Sequence, residues 1–67
     1  MREQMVVFKI EPDGIWRGGD PVWKLYYRFA GYELVHEMFW VAPDEISAFT
    51  QMKESRLPRY DVVLGGE

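Results

Sequence analysis

Hydrophobic positions are densest between Val22 and Ala42, where VWKLYYRFAGYELVHEMFWVA holds the two longest apolar runs of the chain. Its pattern on either side of Ala30 and Gly31 predicts a β-hairpin. Neighbours across such a hairpin must be compatible, and a one-residue slip would turn every side chain to the other face. With the turn centred on Ala30 and Gly31, Phe29 falls opposite Tyr32, Tyr27 opposite Leu34, Leu25 opposite His36 and Trp23 opposite Met38, which makes one largely apolar face. The other face pairs Arg28 with Glu33 and Lys24 with Glu37, with Tyr26 against Val35 between them. Slipping by one would set Arg28 against Leu34 and Phe29 against Glu33, so the first alignment is preferred. Ala-Gly lacks the Asn-Gly or Asp-Gly signal of the tightest hairpins, and a four-residue loop around Gly31 gives the same register.

The flanking segments supply three more elements. Met5 to Glu11 reads as a half-buried strand, Val6, Phe8 and Ile10 alternating with Val7, Lys9 and Glu11. Pro12-Asp13-Gly14 is expected to stop it, and Arg17-Gly18-Gly19-Asp20-Pro21 marks a second break. Ala42-Pro43-Asp44-Glu45-Ile46 has the form of a helix start, with proline and two acids at the positive end of the helix dipole. The helix is predicted to run to about Ser55, laying Ile46, Phe49 and Met52 on the sheet as one stripe. Leu57-Pro58 ends it, because the residue before proline is pushed out of helical geometry. Arg59 to Leu64 then reads as a short strand with Tyr60, Val62 and Leu64 inward. The fold class is therefore α+β: a small antiparallel sheet with one helix packed on one face, in the order β-β-β-α-β. Residues 1–67 form a single domain, with Met1 to Gln4 and Gly65 to Glu67 expected to be flexible.

Sixty-seven residues bury only about 60% of the surface that the unfolded chain exposes. Domains of this size usually add disulfides, a metal or a partner subunit. With no cysteine and one histidine, the chain is left with a dense aromatic core or association with another chain, a homodimer included. Its eleven aromatic residues, three Trp, four Tyr and four Phe, suit either. A net charge of −3 argues against strong binding to nucleic acid, which relies on Lys and Arg neutralising phosphates. No stretch approaches the roughly 20 apolar residues of a membrane-spanning helix. MREQMVV has no signal-peptide pattern, so a cytoplasmic protein without membrane contact is expected.

The residues that could carry chemistry do not assemble into a catalytic set. Ser47, Thr50 and Ser55 belong to the helix region, and His36 faces Leu25 as a half-buried structural residue. Glu33 and Glu37, four residues apart on an extended strand, stand about 13 Å apart, beyond the roughly 5 to 9.5 Å of glycosidase acid pairs. Asp13, Asp20 and Glu11 lack the regular oxygen spacing of a calcium loop, and Gly18-Gly19 neither follows a strand nor opens a helix as a phosphate-binding loop does. No enzyme, no metal and no cofactor is expected.

Two surfaces remain as candidates for partner binding. Tyr26, Val35, Phe39 and Val41, set among Lys24 and Arg28, form an apolar patch on the sheet face opposite the core, either open to a partner or covered by Ile15 and Trp16 of the first loop. Trp16 itself is either a lid folded over the sheet edge or an exposed aromatic anchor. The leading expectation is a small stand-alone interaction module, an inhibitor or regulator of a larger protein, a profile shared by phage-encoded inhibitors of host machinery such as anti-CRISPR proteins. The alternative is a single-strand nucleic-acid binder that stacks bases on Tyr26 and Phe39 beside Lys24 and Arg28. A third arises at the C-terminus, where Val63-Leu64-Gly65-Gly66-Glu67 resembles the tails of ubiquitin-like modifiers and Gly-Gly-Glu looks like the end of the prokaryotic ubiquitin-like protein family. That resemblance spans five residues of 67 and implies a modifier joined through its tail.

Overall fold

The computed structural model describes residues 3–65: β1 (Glu3–Ile15), β2 (Pro21–Phe29), β3 (His36–Val41), α1 (Glu45–Arg56) and β4 (Tyr60–Leu64). One sheet holds all four strands in the order β3-β2-β1-β4, giving the α+β class and element order expected. The sheet is mixed rather than antiparallel, because β4 runs parallel to β1, from Glu3 beside Tyr60 to Val7 beside Leu64. β1–β2 and β2–β3 are antiparallel. β3 and β4 therefore point the same way at opposite edges, and parallel strands need a crossover, which α1 provides over one face.

β1 is longer than its sequence suggests. Glu3 and Gln4, expected to be flexible, pair with Tyr60 and Asp61, and Pro12-Asp13-Gly14 bends the strand without ending it. Between Pro12 opposite Trp23 and Ile15 opposite Pro21, β1 carries one extra residue, and Gly14 takes a φ of 101° that suits glycine. A first bulge lies between Val7 and Lys9, which face Tyr27 and Tyr26 in succession. It breaks the alternation read from the sequence. Met5, Val7 and Ile10 face the helix, while Val6, Lys9 and Glu11 face away.

The hairpin keeps its predicted faces and shifts its register by two. Phe29 to Tyr32 closes a turn, Tyr32 N–H donating to Phe29 O at 2.9 Å with Gly31 at a φ of 88°. This is not one of the two-residue turns whose twist returns strands directly. Residues 32–35 form a loop, and β3 starts only at His36. Trp23 is thus opposite Trp40, Leu25 opposite Met38, Tyr26 opposite Glu37 and Tyr27 opposite His36. Because a strand's side chains repeat every two residues, each side chain of β3 stays on its predicted face.

α1 starts where Asp44 accepts a hydrogen bond from Ser47 N–H at 2.7 Å, and ends at Leu57 before Pro58. Its buried residues are Ala48 and Met52; Phe49 packs at the margin, and Ile46 is 78% exposed. The expected Ile46, Phe49, Met52 stripe is therefore rotated, because the small Ala48 lets the helix approach the sheet closely at that point. Trp40 Nε1 donates to Gln51 Oε1 at 3.0 Å and ties β3 to the helix. The centre of the core is Met5, Val7, Leu25, Met52 and Val62. Not one of the aromatic residues is fully buried; Trp23, Tyr27, Phe29, Trp40, Phe49 and Tyr60 ring the centre instead. Leu64, expected inward with Tyr60 and Val62, lies at the end of β4 and is 67% exposed. Gly65, expected in a flexible tail, donates its N–H to Val7 O at 2.8 Å and lies against Val6 so closely that a Cβ would overlap Val6 Cγ1. The flexibility expected of Met1, Arg2, Gly66 and Glu67 falls outside the described residues.

Candidate functional site

The face of the sheet away from α1 is built by the strand alternation of β1, β2 and β3. The register places Val22, Lys24, Tyr26 and Arg28 of β2 there, with Glu37, Phe39 and Val41 of β3 and Val6, Lys9 and Glu11 of β1. Phe8, two residues after Val6, has its ring centroid 6.4 Å from that of Tyr26. Phe39 is 56% exposed and Val41 is exposed beside it. Trp16 is no lid: the β1–β2 loop turns tightly through Gly19 N–H to Trp16 O and Trp16 N–H to Asp20 O, both at 2.8 Å, leaving Trp16 57% exposed and Ile15 exposed with it.

Tyr26 is the hub of the face. Its hydroxyl donates to Glu11 Oε2 at 2.7 Å, and the ammonium groups of Lys9 and Lys24 each stand 5.2 Å from its ring centroid. Lys24 also lies 5.8 Å from the ring of Phe39. Each lysine has a carboxylate within reach, Lys9 with Glu11 at 3.5 Å and Lys24 with Glu37 at 3.3 Å. The second pair is the one expected from the sequence, made here along the diagonal, since the residue opposite Lys24 is Phe39. The Tyr26 hydroxyl, more than Lys9, holds the Glu11 carboxyl below its ordinary range. Tyr26 and then Glu37 hold the Lys24 ammonium above its own.

Of the residues proposed from sequence, Lys24, Tyr26, Phe39 and Val41 come together on this face. Arg28 shares it opposite Val6, but its expected partner Glu33 is in the 32–35 loop and the pair is not made. Val35 is corrected: it belongs to that loop and not to β3, so it is not opposite Tyr26. Trp16 stands apart in the β1–β2 loop. Phe8, Lys9 and Glu11 were missed: Phe8 follows Val6 by alternation, whereas only the bulge, which no local residue pattern announces, brings Lys9 and Glu11 to Tyr26.

His36 lies on the other face, opposite Tyr27 rather than Leu25, stacked on the Tyr27 ring at 5.1 Å and edge-on to Phe29 at 5.5 Å. Ser55 Oγ donates to Met52 O within the helix. Among the described residues no three His, Cys, Asp or Glu side chains gather as a metal site would need, and no helix is long and apolar enough to cross a membrane. Fold and surface together define a small α+β domain with a helix on one side of a mixed sheet and an aromatic, charge-paired face on the other. Compared with models of known families, with curated proteins and with solved structures, the chain gives no match in any of the three.

Proposed function

We propose that the chain is a protein-interaction module that binds a larger protein through the open sheet face and acts on it as an inhibitor or regulator, as phage proteins directed at host machinery do. The observation that carries this reading is Phe39, a large aromatic side chain 56% exposed on edge strand β3, on the same face as Tyr26 and Val41. Aromatic residues in such positions supply most of the affinity of protein interfaces. Lys9 and Lys24 are already paired with Glu11 and Glu37, so these charges shape specificity and encounter rate more than affinity. Trp16 extends the same exposed aromatic character to the β1–β2 end.

A second reading is favoured by Lys9 and Lys24 flanking Tyr26, an arrangement that would stack and neutralise a single nucleic-acid strand. Glu11 and Glu37 sit on those same lysines, which is why protein comes first. The test is affinity capture from a cell lysate with wild type, Phe39→Ala and Tyr26→Ala, beside titration with single-stranded oligonucleotides at two salt concentrations. A protein captured by wild type and lost with Phe39→Ala, a loss of about 2 kcal/mol or more, supports the first reading. Oligonucleotide binding that weakens steeply with salt, and less steeply in Lys24→Ala, supports the second. If sedimentation shows a dimer that Phe39→Ala dissociates, the face is a contact between two copies of the chain.

A further inference from the structure

β3 closes one edge of the sheet. β2 pairs with it on one side in unbroken register, and no described residue pairs with it on the other. Residues 1–2 and 66–67 are attached at β1 and β4, and a strand beside β3 would lie three strand spacings from β1, about 14 Å. Two residues reach at most about 7 Å, so chain length alone keeps both termini from pairing there.

Which backbone groups of β3 face outward follows from one hydrogen bond. Ala42 N–H donates to Pro21 O at 3.2 Å, so these two form a hydrogen-bonded pair, and such pairs alternate with non-bonded ones along an antiparallel ladder. His36, Met38 and Trp40 therefore bond to β2 at Tyr27, Leu25 and Trp23, and Glu37, Phe39 and Val41 turn both N–H and C=O outward. Lysine, proline or a bulge commonly blunts such an edge. The strand HEMFWV has neither residue, and its pairing has no bulge.

A second copy of the chain fits this edge antiparallel, about a two-fold axis at Phe39. Phe39 then lies opposite Phe39 of the second copy and Glu37 opposite its Val41, so every outward N–H meets an outward C=O and no two like charges of β3 are opposed. Moving the axis to Met38 carries the partner of Val41 out of β3 to Val35, and moving it to Trp40 sets Glu37 against Pro43, which has no N–H. On the open face the two Phe39 rings adjoin, each with its own Lys24 at 5.8 Å. On the helix side, half-buried Met38 falls against the equally half-buried Trp40 of the second copy, a sulfur–aromatic contact.

We infer that the chain forms a two-fold dimer through β3, which joins two four-stranded sheets into one. A domain of 67 residues without cysteine gains from a partner subunit what its small core lacks. The inference goes beyond the partner-binding reading, because it uses main-chain groups of the edge and leaves the open faces of both copies side by side and free.

The test is sedimentation equilibrium over a concentration series, with each variant checked for folding by circular dichroism. Wild type should dimerise, and in the dimer the amides of Glu37, Phe39 and Val41 should gain protection from hydrogen exchange, whereas those of Met38 and Trp40 are protected in monomer and dimer alike. Val41→Pro removes one outward N–H and no bond to β2, a place where edge strands accept proline, and should raise the dissociation constant about tenfold or more. Phe39→Lys and Phe39→Glu set like charges against each other at the axis; each alone should be monomeric and their equimolar mixture dimeric. Phe39→Ala and Tyr26→Ala keep every main-chain group and should keep the dimer. A wild type that stays monomeric up to about 1 mM overturns the inference, as does a dimer in which the Phe39 amide exchanges freely or one that folded Val41→Pro leaves unchanged. A dimer that Tyr26→Ala or Phe39→Ala dissociates overturns it too, by assigning the contact to the open faces.

Discussion

Replacing Met52 with alanine removes the largest fully buried side chain of α1, which is 0% exposed and packs among Met5, Val7, Leu25 and Val62. Methionine-to-alanine changes in such cores cost about 2 to 5 kcal/mol, from lost transfer energy and from the cavity left behind. A domain of 67 residues has roughly 3 to 10 kcal/mol in total. The variant should therefore melt at least about 8 °C below wild type, at about 4 to 8 °C per kcal/mol for this size, and at the upper end of the range it would not fold. Ile46→Ala is the control, since an exposed side chain away from special features changes stability by only about 0.5 kcal/mol or less. Urea titrations followed by far-ultraviolet circular dichroism give both midpoints, with equal slopes showing that the unfolded reference has not moved. Were Ile46→Ala to destabilise as much as Met52→Ala, the helix would be seated on the Ile46 stripe and its described rotation would be refuted.

Gly65→Ala should destabilise by about 1 to 3 kcal/mol through overpacking against Val6, and Val6→Ala should restore part of the loss; thermal melts of both single variants and the double variant measure this, and an additive double variant would disprove the contact. Asp44→Ala should lower the melting temperature as its cap on Ser47 N–H is lost; that same bond keeps the Asp44 carboxyl low, so its contribution is complete above the usual aspartate range and disappears as pH falls through the depressed value. Tyr26→Phe removes the main influence on Glu11, so in an NMR titration the Glu11 carboxyl should move up toward the ordinary glutamate range. With Glu11 depressed in the folded state, its stabilisation in wild type is present above that range and lost on acidification, and the variant should show a flatter dependence there. Lys24 has the opposite sign: raised when folded, it stabilises below its unfolded value and ceases to do so as pH climbs through its raised one.

The order of elements was legible because each carries its own period and punctuation: Asp44 and Pro43 open the helix, Pro58 closes it, and Gly19 and Gly31 sit where positive φ is needed. The hairpin register was not. Lys24 and Glu37 meet whether they are directly opposite or two residues out of step, so their complementarity selects a face and leaves the alignment open. β1 hid its inward set for a different reason. A bulge exchanges the faces of everything beyond it, and Met5 and Val7 are as apolar as Val6 and Phe8. Ala48 gave too weak a hydrophobic signal to show that the helix packs on it. The direction of β4 was invisible, since five alternating residues serve a parallel strand as well as an antiparallel one. At the candidate surface, Tyr26, Phe39, Val41 and Lys24 followed from alternation within single strands, as Phe8 does from Val6, whereas Lys9 and Glu11 depended on the bulge.

The parallel seating of β4 on β1 also sets an order of events in time. Glu3 and Tyr60 are side by side in the sheet, so the strand that completes the sheet is the last of the four to be synthesised. Contacts between residues so distant in the chain slow folding, because the loop must close before they reward it. Through that interval the nascent sheet presents Met5 and Val7 beside an unpaired backbone edge, the kind of surface on which strands from neighbouring chains assemble. A polypeptide truncated before Tyr60 would keep that edge permanently, and aggregation is the fate expected of it.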